Sequence, residues 1–114
     1  MYYDKELSMM QNYAYEIQQE YMSKRGERTD VELRKINAKI WAINEIMNRV
    51  IKEDMCAPVM IEEHCLYSVP DIVHQFMIDM QYLIQLNRIP SVCIVWIVAY
   101  NVAKEVCARL KALP

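Results

Sequence analysis

Four long stretches of this chain repeat their apolar residues at alternating spacings of three and four, and almost nothing interrupts them. There is one glycine, Gly26, and the internal prolines are Pro58, Pro70 and Pro90. A spacing of 3.5 places apolar side chains along one stripe of an α-helix and on both faces of a strand. So few breakers and such regular stripes predict an all-α chain.

The first segment runs over about residues 2–25. Its seam is Tyr3, Leu7, Met10, Ala14, Ile17 and Tyr21. Gly26 follows, a residue suited to the left-handed position after a helix. The second segment runs over about 30–54. Thr29-Asp30-Val31-Glu32 reads as a capping box, in which Thr29 bonds the Glu32 amide and Glu32 reaches back. Its seam is Leu33, Ile36, Ile40, Ile43, Met47 and Val50, with Arg49 four residues from both Glu45 and Glu53. Pro58 places its end near Asp54, leaving 55–68 as a connector. The third segment, about 69–87, opens with Ser68 as N-cap and Pro70 in the first turn. Pro90 stops it. The fourth, about 91–112, takes Ser91 as its cap and carries Val92, Trp96, Ala99, Ala103, Val106, Leu110 and Leu113 on one stripe. Residues 92–98 are rich in β-branched side chains, yet no partner strand exists elsewhere and the stripe continues as a helix.

Two of the three connections are short, which makes an antiparallel four-helix bundle of two hairpins. At 114 residues, 1–114 is one domain, large enough for a core of its own.

Charge is unevenly spread. From His64 to Ala103 only Asp71, Asp79 and Arg88 are charged, whereas the first 57 residues hold nine of the 13 Lys/Arg and ten of the 15 Asp/Glu. The first hairpin is therefore the solvated half. The second is apolar almost all round, with Ile78, Tyr82, Ile94 and Ile97 off the seam. A helix apolar on every side is buried on every side, which leads to the expectation of a symmetric homodimer through the last two helices. Ala99 and Ala103, one turn apart, fill the core or admit a close backbone.

The net charge of −2 opposes direct binding to a nucleic-acid backbone. A basic corner of Lys24, Arg25, Arg28, Arg34, Lys35 and Lys39 interleaves with Glu27, Asp30 and Glu32. It reads first as a solvated helix corner, and alternatively Arg28, Arg34, Lys35 and Lys39 hold phosphates of a ligand or nucleotide. Cys56, His64, Cys65 and His74 lack the two- to four-residue pairing of structural zinc sites, and adjacent His64 and Cys65 diverge. No Glu-x-x-His pair suits a metal-binding bundle. With one glycine there is no phosphate-cradling loop, and no nucleophile comes with a base and an oxyanion-type loop. A non-catalytic chain without cofactor or metal is expected. The N-terminus lacks an apolar signal segment, and cysteines without C-x-x-C spacing fit free thiols in a reducing cytoplasm. The uncharged run Ile89–Ala103 is shorter than the roughly 20 residues of a spanning helix, so membrane anchoring by the fourth helix is the lesser alternative.

The feature that points furthest toward function is on the second helix. Trp41 lies roughly 130° from the seam, with Asn37, Asn44 and Asn48 beside it. Asparagine is a poor helix former. Amides around a tryptophan suit recognition of another protein, the ring anchoring and the amides adapting their hydrogen bonds. The bland reading packs Trp41 under the connector. Tyr15 and Met22, flanked by Gln11 and Gln18, form a similar outward pair on the first helix. The expected function is a small regulator or inhibitor that occupies a partner's surface. By analogy alone, chains of this kind include mobile-element inhibitors of host machinery.

Overall fold

The computed structural model describes residues 3–23, 26, 29–60 and 67–114, with 56–60 described by backbone alone. The chain is all-α: α1 spans Asp4–Ser23, α2 Asp30–Met60, α3 Val69–Leu86 and α4 Pro90–Ala112. Among the described residues there is no strand.

The starts follow local chemistry. The Glu32 amide donates to Thr29 Oγ1 at 3.3 Å, which is the first half of the capping box. The Asp71 amide donates to Ser68 Oγ at 3.3 Å, with Pro70 in the first turn of α3. The fourth helix departs from expectation. Its cap is Ile89, not Ser91, with Pro90 at the start and no side-chain cap. Proline's fixed φ and missing N–H suit that first position, so it opens α4 as well as closing α3. Asn87 ends α3 by donating its side-chain amide to the Leu83 carbonyl at 2.8 Å.

Two ends also differ. Gly26 does not adopt a positive φ; α1 is described to Ser23, whose hydroxyl donates to the Glu20 carbonyl at 3.2 Å, and residues 24 and 25 lie outside the described residues. Helix α2 runs through Pro58 to Met60 rather than ending near Asp54. A proline forfeits one hydrogen bond and crowds the preceding turn. This near the C-terminus, with no glycine to break the chain, it does not end the helix.

All four helices contribute to one core. It includes Leu7, Met10 and Ile17 from α1; Ile36, Ile43, Ile46 and Val50 from α2; Val69, Val73, Phe76 and Met80 from α3; and Ala99, Ala103 and Val106 from α4. Helix α4 packs most extensively on α3 and α2, and α2 also packs on α1, while α1–α4 and α2–α3 meet more lightly. The order in space is therefore α1, α2, α4, α3, with α2 and α4 central. At 1.5 Å per residue α2 is about 46 Å long, and it sets the long dimension of a molecule measuring 51 × 33 × 22 Å.

Two arginines tie the layers. Arg49 of α2 donates to Asp79 of α3 at 2.8 Å and lies over the Phe76 ring at 5.1 Å. It keeps Glu45 at 3.6 Å, while the Glu53 carboxylate instead accepts the Tyr67 amide at 3.0 Å. Arg109 of α4 joins Glu16 of α1, Glu105 at 3.0 Å and the Tyr13 ring at 4.2 Å. Burial, ahead of the Glu105 carboxylate, pushes the Tyr13 phenol above its ordinary range. At the other end of α1 the Tyr3 hydroxyl donates to the Tyr67 carbonyl, and burial, then Glu53 and the buried Asp54, raise that phenol too.

Candidate interaction surface

Trp41 is 40% exposed, and residues 61–66 of the connector under which the bland reading packs it lie outside the described residues. It meets Trp96 of α4 edge-on at 5.7 Å and 68°, and Phe76 of α3 at 6.1 Å and 42°. These are ordinary aromatic-pair geometries. A long indole on the flank of α2 folds over toward α3 and α4. The result is a tryptophan packed against two rings with 40% of its surface open. Asn37, Asn44 and Asn48 are all exposed beside it.

The row extends beyond Asn48. Ile51 and Met55, 37% and 70% exposed, continue Asn37, Trp41, Asn44 and Asn48 at spacings of four and three. The same periodicity that marks the buried seam was the available signal, running a second time on the opposite flank.

Helix α1 carries a matching row. Tyr15 and Met22 are 62% and 61% exposed, and Gln11 and Gln18 between and beside them are exposed too. Apart from Trp41, which folds back onto Trp96, both rows lie on the flank away from α4. On α1 the opposite flank, Tyr13 and Glu16, meets Arg109 of α4. On α2 the opposite flank carries Ala42 and Ile46 into the core and Arg49 toward α3. The two rows thus border one face of the α1–α2 pair.

Of the basic corner, Arg34, Lys35 and Lys39 are among the described residues. Arg28 lies outside the described residues. Arg34 and Lys35 are exposed, and Lys39 pairs with Glu20 of α1 at 3.6 Å. Its charge is thereby partly spent inside the fold.

On the second hairpin Ile78, Tyr82 and Ile97 are 55%, 61% and 45% exposed, joined by Leu86 and Ile89, while Ile94 is only partly exposed. Helix α4 is long and apolar enough to cross a membrane, and 22% of its most apolar stretch is buried in the molecule.

His64 and Cys65 lie outside the described residues, as does the Cys56 side chain, and His74 is exposed. Among the described residues no three His, Cys, Asp or Glu side chains gather as a metal site. Cys93 and Cys107 are free thiols. Cys93 donates to the Asn87 carbonyl at 2.9 Å, and burial pushes the Cys107 thiol up, away from the reactive thiolate.

A hollow of about 490 Å³ opens where α2 meets the start of α3, lined by Arg49, Glu53, Tyr67, Asp71, Ile72 and Gln75. Its polar groups serve structural bonds already: Arg49 with Asp79, Gln75 with Asp79 at 3.0 Å, and Glu53 with the Tyr67 amide. A second of about 350 Å³ lies between α1 and α4, around Lys39, Glu105 and Arg109. Among the described lining residues of either hollow there is no serine, cysteine or histidine to act as nucleophile or near-neutral base.

Comparison with protein-family models, with curated proteins and with solved structures finds no match for this chain.

Proposed function

We propose that this chain is a small, non-catalytic regulator or inhibitor that works in the cytoplasm by occupying the surface of another protein, through the outer face of α2 and α1. The observation that carries the reading is the seating of Trp41. Binding hot spots are rigid aromatic anchors surrounded by residues that exclude water and adapt their polar contacts. Trp41 is held on Trp96 and Phe76 before any partner arrives, so little side-chain freedom is lost on binding. The exposed asparagines beside it offer both donors and acceptors.

The test is capture from the native host's lysate by tagged wild type and by Trp41→Ala. Truncating a hot-spot tryptophan costs at least about 2 kcal/mol, or about 30-fold in affinity. One protein captured by wild type and depleted by that factor in the variant is the expected result. Equal capture by both, or capture of nothing, sinks the reading. Near-UV circular dichroism of the remaining Trp96 checks that the variant is folded.

The second hairpin completes the proposal: an antiparallel bundle that pairs two-fold through α3 and α4. Support comes from Ile78, Tyr82 and Ile97, large apolar side chains standing in solvent on the half of the chain poorest in charge. Such patches mark interfaces more often than free surface. Light scattering at micromolar concentration is expected to give twice the chain mass, and Ile97→Glu half that. A monomeric wild type removes the dimer. The membrane reading rests on the apolar length of α4, and flotation of the wild type with liposomes would favour it instead.

A further inference from the structure

We infer that the partner element received by the α1–α2 face is a single amphipathic α-helix with an uncharged stripe and acidic flanks; this rests on the binding reading above. Periodicity comes first. The α2 row, Asn37 to Met55, advances by four, three, four, three, four, and the α1 row, Gln11 to Met22, by four, three, four. Rows of period 3.5 are met in register along their length by another helix. A strand, with period two, or an extended proline-rich segment, with period three, falls out of step within a few residues.

Charge is the second argument. Neither row carries a charged side chain, although α1 and α2 lie in the charge-rich half of the molecule. The element that covers them is therefore uncharged along its contact stripe, since a charge buried there would have no partner. At the edge of the α2 row nearer α3, helical geometry places Arg34 and Lys52, both exposed, while Glu45 between them is engaged by Arg49 at 3.6 Å. Arg34 and Lys52 are five turns, or about 27 Å, apart along the axis. Carboxylates flanking the stripe of the incoming helix meet them, as flanking charges do in coiled coils.

The order of chemistry along the row sets the register. Asn44 and Asn48 hold its middle, between Trp41 on one side and Ile51 and Met55 on the other. An amide or hydroxyl opposite the middle pair, with aliphatic residues beyond it, satisfies both. A buried amide matched this way fixes register at some cost in affinity.

A displayed library tests this directly. Helices of about 28 residues, four heptads, are randomised at the a, d, e and g positions and selected on the full-length protein. Each selected clone is then measured against Ile51→Glu and Ile97→Glu, both checked for helicity. The expected clones carry apolar a and d residues, a polar residue near the middle, and Asp or Glu at e and g. They lose about 30-fold or more on Ile51→Glu and bind Ile97→Glu as they bind wild type. Failure to enrich, basic flanks, or unchanged binding to Ile51→Glu overturns the inference. So does a wild-type dimer that Ile51→Glu dissociates, because a second copy would then be the occupant. If Trp41-dependent capture from lysate survives while the library fails, only the helical class of partner is wrong; if both fail, the binding reading falls with it.

Discussion

Phe76→Ala is expected to bring the protein close to unfolding under mild conditions. The ring is fully buried, at the meeting point of three helices. Trp41 of α2 rests on it at 6.1 Å, and the Arg49 guanidinium lies over it at 5.1 Å. Removing a buried phenyl group costs about 3–5 kcal/mol, in lost transfer free energy and in the cavity left behind. Whole domains of this size are stable by only about 5–15 kcal/mol. The urea midpoint should therefore fall by about 2 M, given slopes of about 1–3 kcal/mol per molar. Phe76→Leu keeps most of the volume and should cost less than half as much. The alanine variant also removes the floor under Trp41. Its near-UV circular dichroism, which reports the fixed Trp41–Trp96 pair, should weaken even at low temperature, where the helices remain. A midpoint shift below about 0.5 M would mean that Phe76 is not the keystone of the α2–α3–α4 junction.

The stripe containing Phe76 was legible in the sequence; its neighbours were not. Periodicity reports which face of a helix avoids water, and the seam residues Met10, Ile17, Ile43, Val73 and Val106 are buried as the spacing predicts. It carries no information on which helix covers that face. That α4 packs on both α2 and α3 depends on the sizes of side chains far apart in the chain. Local rules worked where the partner atom is local, as with Thr29 and Ser68 at helix starts. They failed where a distant group competes. Arg49 has carboxylates one turn away in both directions, but its closest bond is to Asp79, thirty residues on. Pro58 differs again: it sits in the last turn of α2, where proline's penalty is smaller than in a helix interior. For the candidate surface, the sequence put Trp41 and its asparagines in one row at helical spacing, and all four are exposed on α2. It could not see that the indole would be pinned by Trp96, since the two are 55 residues apart and meet only through the α2–α4 contact.

That contact leads to the second large effect, which comes from adding atoms. On α4, Tyr100 and Cys107 face α3, through Gln81 at 3.4 Å and Met77 at 3.9 Å. Arg109 faces α1. Between those two sides lie Ala99 and Ala103, fully buried, and on α2 Ala42 is fully buried and Ala38 nearly so. Small residues on both helices let their axes approach toward the short end of the usual 8–10 Å range. An isobutyl group on that surface has no room, so Ala103→Leu forces the two central helices apart or drives side chains off their rotamers. The cost of overpacking is about 1–3 kcal/mol, and it falls here on the contact that joins both hairpins. Leucine and alanine differ little in helix propensity, so propensity does not confound the comparison. Ala108→Leu, on the exposed face of the same helix, should change stability by less than about 0.5 kcal/mol. Ala103→Gly should cost about 1 kcal/mol in helix propensity and about 0.8 kcal/mol more for the buried methyl group it removes. The diagnostic is therefore the grouping of urea midpoints: wild type and Ala108→Leu together, Ala103→Leu well below them although it adds apolar surface, and Ala103→Gly also below them. Ala99→Leu combined with Ala103→Leu should cost less than the sum of the two, because the first insertion already opens the gap that the second would occupy. An Ala103→Leu variant as stable as wild type would place the close approach of α2 and α4 elsewhere, and with it the support beneath Trp41.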